Sequence, residues 1–130
     1  MKKFLNLCLI MITLGISNLL FGTTDETITV TPQSLEFSIQ LSSNPTTGYS
    51  WALDSYDHRF LTLVRHQYIP SSPQLIGSGG HEIWTFKALS IVFAVPNRTT
   101  VIKLIYARPW ETARGQPPIS TKIVQVCFKP

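Results

Sequence analysis

Beyond residue 22 the apolar residues of this chain recur with a period of two. Leu35, Phe37, Ile39 and Leu41 alternate with Glu36, Ser38, Gln40 and Ser42. Trp84, Phe86 and Ala88 alternate with Ile83, Thr85 and Lys87. Ile102, Leu104 and Tyr106 share one side of the run from Thr100 to Tyr106, and Val124, Val126 and Phe128 one side of the run ending at Phe128. Successive side chains of a strand point to opposite faces, so each run reads as a half-buried strand. Ile28 with Val30, Tyr49 with Trp51 and Leu53, and the run from Leu61 to about Tyr68 add three more. No long stretch carries apolar residues three and four apart, and β-branched residues dominate, so no helix is expected after residue 22. About seven strands separated by turn residues predict an all-β, antiparallel sandwich of immunoglobulin-like type. The Cys…Trp…Cys pattern of antibody domains is missing, yet Trp51 on the third strand is expected at a central core position. The apolar stretch Ser90–Val95 is expected to extend the fifth strand.

The 130 residues suffice for one domain. Eleven basic residues stand against seven acidic ones, a net charge of +4, and two of the basic residues are Lys2 and Lys3. The others are scattered along the chain, which gives no footprint for nucleic acid. Residues 1–22 read as an export signal: Lys2 and Lys3, then an apolar run from Phe4, then the small residues Gly15, Ser17 and Gly22. Cleavage after Gly22 or after Ser17 leaves an exported domain, here taken as 23–130; an uncleaved anchor is the alternative. Cys8 lies inside the signal, so Cys127 is the single cysteine of the mature chain and has no intramolecular disulfide partner. Stability must come from the core.

Catalytic patterns are missing. His58, His66 and His81 have no metal-ligand spacing. Cys127 sits between Val126 and Phe128 in a strand pattern and reads as a structural thiol. There is no G-x-S-x-G elbow, and Gly77-Ser78-Gly79-Gly80 lacks the lysine and helix of a phosphate loop. Asp54 and Asp57 flank a turn as solvated turn formers. No enzyme, metal or cofactor is expected. Asn97-Arg98-Thr99 fits a glycosylation sequon.

What remains are three loop stretches. The first is Asn44-Pro45-Thr46-Thr47-Gly48-Tyr49, followed by Ser50 and Trp51. Pro45 fixes its own φ and biases Asn44 toward extended geometry, and Gly48 permits a positive φ, so the loop is short, partly rigid and uncharged. The second is Gly77-Ser78-Gly79-Gly80, closing a long loop that begins at Pro70, and the third is Arg108-Pro109-Trp110. In an immunoglobulin-type sandwich, alternate connections share one end. The three loops are therefore expected to gather on one rim, with Trp110 as a rigid aromatic anchor.

The ordered triple, NPTTG then GxGG then RPW, resembles the chagasin family of inhibitors of papain-like cysteine proteases. The likeness runs from about Thr27 to Lys129. It implies an immunoglobulin-like sandwich whose three loops form a wedge that fills a protease cleft, reversibly and without a covalent bond. Asn44, Pro45, Thr46, Thr47 and Gly48 would lie over the catalytic cysteine, with Tyr49 counted among the protease-binding residues beside them. Gly77, Ser78, Gly79 and Gly80 would reach the non-primed subsites, and Arg108, Pro109 and Trp110 the primed side. The implied partner is a papain-like cysteine protease of the same cell or of a host, met by a monomer, with no membrane contact after signal cleavage. The competing reading is an extracellular immunoglobulin-like module for adhesion or ligand binding. One departure stands out: the segment between Gly80 and Arg108 is several residues longer than the family pattern suggests, and the Ser90–Val95 run accounts for it.

Overall fold

The computed structural model describes residues 25–72 and 75–130. The export segment and Cys8 lie outside the described residues. Seven strands form two sheets among them: β1 (Glu26–Val30), β2 (Glu36–Ser43), β3 (Ser50–Ser55), β4 (Leu61–Pro70), β5 (Gly80–Ala88), β6 (Thr99–Ala107) and β7 (Ser120–Phe128). One sheet has the order β1-β7-β6-β3, the other β2-β5-β4. The two face each other across a single core, an immunoglobulin-like sandwich.

The alternation explains that core. Ile39 and Leu41 from β2, Trp84, Phe86 and Ala88 from β5, Ile102 and Leu104 from β6, and Val124, Val126 and Phe128 from β7 are all buried. Their polar alternates face outward, as a two-residue period demands. Thr85 departs from this: it is buried and its hydroxyl meets Ser38 Oγ at 2.8 Å, because β5 is the central strand of its sheet.

Four expectations need correction. All pairs but one are antiparallel; β1 runs parallel to β7, with Glu26 opposite Val124 and Val30 opposite Phe128. The chain crosses to the other sheet directly after β1, so this edge strand finds its partner only in the last strand, and the whole domain serves as the crossover that parallel pairing requires. Ser90–Val95 does not extend β5. Leu89 N donates to Phe60 O and the chain turns into a short 3-10 helix, Ser90–Ala94, that places Val92 in the core and Phe93 edge-on to Phe128. A helix also appears where none was expected: α1 (Pro109–Ala113), one turn long, with Pro109 at its first position. Finally, Trp51 is half-buried at the end of the sandwich rather than at its centre, because its indole N–H needs an acceptor and finds Ser42 O at 2.9 Å.

Candidate functional site

The β2–β3, β4–β5 and β6–β7 connections emerge at the same end, and side chains interlock them. In the first loop Pro45–Thr47 forms a single 3-10 turn closed by Gly48 in the left-handed region, φ 83°. Thr47 N donates to Asn44 O at 3.1 Å and Gly48 N to Pro45 O at 2.9 Å. The Asn44 side chain organises the turn from below. Its Oδ1 accepts from Thr46 Oγ1, its Nδ2 donates to Gly77 O at 3.0 Å, and its backbone N donates to the Tyr106 hydroxyl at 3.0 Å. Pro45, Thr46 and Thr47 are left exposed at the tip.

The third loop locks onto the first. Arg108 Nε donates to Thr47 O at 3.1 Å, and its guanidinium lies 4.3 Å from the centre of the Tyr49 ring. Glu111 of α1 steadies the same guanidinium at 3.3 Å. A Cβ on Gly48 would stand 2.6 Å from Trp110 Cη2, so only glycine leaves room for the indole to lean on the turn. Trp110 keeps 51% of its surface exposed. It belongs to the rim and is not folded into the core. Beneath these loops Tyr106 stacks obliquely with Tyr49 at 5.6 Å and Trp51 at 5.0 Å, a shared aromatic floor.

The glycine loop has two parts. Gly77 takes φ 76° and Ser78 closes a turn on Leu75 through both its N–H and its hydroxyl. Gly79 and Gly80 are buried, and Gly80 is the first residue of β5 rather than part of the loop tip. A Cβ on Gly80 would overlap Ile69 O and stand 2.8 Å from Pro70 Cα; one on Gly79 would stand 2.8 Å from Ser43 O. These two glycines therefore shape the loop, and the outward surface belongs to others. Leu75 is 66% exposed and Ile76 fully exposed. Motif reading passed over both, although a large apolar pair inside a Ser/Pro/Gly-rich loop is the available signal. Pro73 and Gln74 lie outside the described residues.

The outermost residues of the rim, Pro45, Thr46, Thr47, Leu75, Ile76 and Trp110, are uncharged, and the partly exposed Arg108–Glu111 pair lies among them. The notch of about 370 Å³ between the first and second loops is lined by serines, Asn44, His81 and Tyr106, and contains no carboxylate or cysteine. Cys127 pairs with Thr29 and Thr99 at the other end of the sandwich. The other histidines serve local contacts: His58 meets the Tyr56 ring at a tilt, 4.1 Å between centres, and His66 lies flat on Trp84 at 3.7 Å.

The geometry has known counterparts. The model of the chagasin family peptidase inhibitor I42 matches residues 32–125. Chagasin of Trypanosoma cruzi is 35% identical over 78 residues, 55% of this chain and 64% of chagasin. Amoebiasin-2 of Entamoeba histolytica is 31% identical over 93 residues, 70% of this chain and 68% of that protein. This chain thus spans just under two thirds of chagasin's length. Among solved structures, a cysteine protease inhibitor of Entamoeba histolytica superposes with a TM-score of 0.63 at 27% identity, covering 80% of this chain and 86% of that one. Amebosin superposes with a TM-score of 0.51 at 28% identity, covering 79% and 86% respectively.

Proposed function

Because this chain belongs to the chagasin family of peptidase inhibitors, we propose that it is a reversible, non-covalent inhibitor of papain-like cysteine proteases that closes their cleft with three loops. One observation carries the reading. Asn44 joins the first loop to Gly77 of the second, and Arg108 of the third joins it at Thr47. Three separate loops thereby become one preformed body, which lowers the ordering entropy that binding would otherwise cost.

The exposed Thr46–Thr47 crest sits over the catalytic cysteine, with Leu75 and Ile76 in an apolar non-primed subsite and Trp110 on the primed side. Cleavage requires a substrate carbonyl aligned with the thiolate and the oxyanion donors. The Pro45–Thr47 turn is closed by hydrogen bonds to Asn44 O and Pro45 O, and Thr47 O is held by Arg108, so the loop offers the enzyme a closed turn and no extended peptide. An interface of about 800 Å² on each partner suffices for such a contact. Export through residues 1–22 would deliver the domain to proteases outside the cytoplasm.

Titration of papain with the purified domain 23–130 tests the reading. Inhibition that is stoichiometric, recovered on dilution, and leaves the inhibitor's mass intact is expected. Thr46→Glu together with Thr47→Glu should keep the fold and weaken inhibition by roughly 3 kcal/mol or more, since unpaired like charges would be buried against the cleft. Papain activity unaffected by the wild-type domain would instead favour a binding module without a protease partner.

A further inference from the structure

The inward face of β5 reads Gly80, Glu82, Trp84, Phe86, Ala88. Glu82 thus puts a carboxylate where the alternation calls for a core residue, and it is only 3% exposed. A buried carboxylate is tolerated when donors satisfy both oxygens. Here Oε2 accepts the backbone N–H of Trp51 at 2.9 Å, and Oε1 is hydrogen-bonded to His66 Nε2 at 2.8 Å. His66 is in turn held flat against Trp84.

Trp51 lies on β3, the edge strand of the opposite sheet. Its N–H is the first strand donor after the Asn44–Tyr49 loop that points away from β6. Glu82 therefore bridges the two sheets at the wedge end, beneath the exit of the first loop. Two further cross-sheet bonds sit beside it, Trp51 Nε1 to Ser42 O and Asn44 N to the Tyr106 hydroxyl. The loop's entry leg is fixed through β2 and Tyr106; its exit leg is fixed through Trp51.

We propose that Glu82 is a positioning residue for the inhibitory wedge: it acts through Trp51 to hold the first loop in its inhibitory shape, and touches no protease. The proposal rests on the wedge reading above for its functional consequence, but its structural half is testable without a protease. Glu82→Leu removes both acceptors while keeping the position filled; Glu82→Met serves if Leu does not fold. Glu82→Gln keeps an acceptor for Trp51 N–H, and its amide can donate to His66 in the ring's other tautomer. It is the rescue.

Amide hydrogen exchange of the free domain and stopped-flow binding to papain provide the two readouts. In Glu82→Leu, exchange at Thr47, Gly48 and Trp51 should speed up while Val124 and Val126 in the β6–β7 ladder hold their rates. If the loop keeps its shape in about one molecule in ten, apparent affinity falls about tenfold. That loss should appear in the association rate, with dissociation changed less than about twofold, and Glu82→Gln should behave as wild type. Loop amides exchanging at wild-type rates overturn the proposal. So does uniform acceleration at all amides with an unchanged association rate, which marks a merely structural residue. If the loop amides respond but the wild-type domain does not inhibit papain, the hold of Glu82 on the loop stands and the wedge reading falls.

Discussion

At Gly48 two demands coincide: a left-handed backbone, φ 83°, and room for the Trp110 ring where a side chain would begin. A non-glycine residue would meet strain of roughly 1–2 kcal/mol from the backbone alone and would push the indole off its seat. Trp110→Ala removes that partner from the other side. It should leave thermal stability nearly unchanged, since half the ring already faces solvent, yet weaken papain inhibition by roughly 1–3 kcal/mol, as expected for an aromatic anchor. Equal inhibition constants for variant and wild type would remove Trp110 from the wedge. Asp57, a solvated turn former by sequence, is the turn's organiser. Its side chain accepts Arg59 N at 2.9 Å and grips the Arg59 guanidinium at 2.7 and 3.0 Å. Those bonds lower its pKa from 3.8 to about 2. The folded state therefore resists protonation, so the turn contributes stability above pH 4 and loses it as pH falls toward 2. Urea midpoints of Asp57→Asn and wild type should differ slightly at neutral pH, the small effect of a surface pair, and converge near pH 2.

Among the elements, the strands follow from their side-chain period, and the short helical turns do not. A single turn such as Pro109–Ala113 is too brief to display a 3.6-residue pattern, and only Pro109 at its first position marked it. The 3-10 helix Ser90–Ala94 was concealed by its composition, since Ile91, Val92 and Phe93 suit a strand equally well. What excluded the strand was the Leu89 N–Phe60 O bond, a contact distant in sequence. The meeting of β4 with β5 gives a test at this scale. Gly80 is flanked by Ile69 O and Pro70 with no room for a Cβ, so Gly80→Ala should destabilise the domain by about 1–3 kcal/mol, as overpacking does. Gly77→Ala, with nothing within 4 Å, should carry only its backbone strain. A Gly77→Ala variant less stable than Gly80→Ala would contradict this division of the glycine motif into a shaping half and an outward half.

Viewed whole, the sandwich has two poles. One holds the interlocked loops; the other holds the Ser90–Ala94 cap, with Val92 buried, Phe93 against Phe128, and Ile91 and Val95 exposed. The long Gly80–Arg108 segment thus enlarges the pole away from the wedge. Distant sites act independently. Val92→Ala should lower stability by roughly 2 kcal/mol through lost burial and a residual cavity, while its folded fraction inhibits papain as wild type does. A parallel loss of inhibition, measured well below the unfolding midpoint, would show that the poles are coupled.

The seven strands, most of their inward faces, the loops between them and the family motifs are legible residue by residue, because alternation, turn residues and short motifs are local signals. Which surface those loops make depends on the packing of the two sheets. That Asn44 reaches Gly77, that Arg108 reaches Thr47, that Ile76 rather than Gly80 faces outward, and that the Glu82 carboxylate spans two sheets all depend on residues brought together from opposite sides of a core. Such contacts follow from how two twisted sheets pack, and no local pattern encodes that distance.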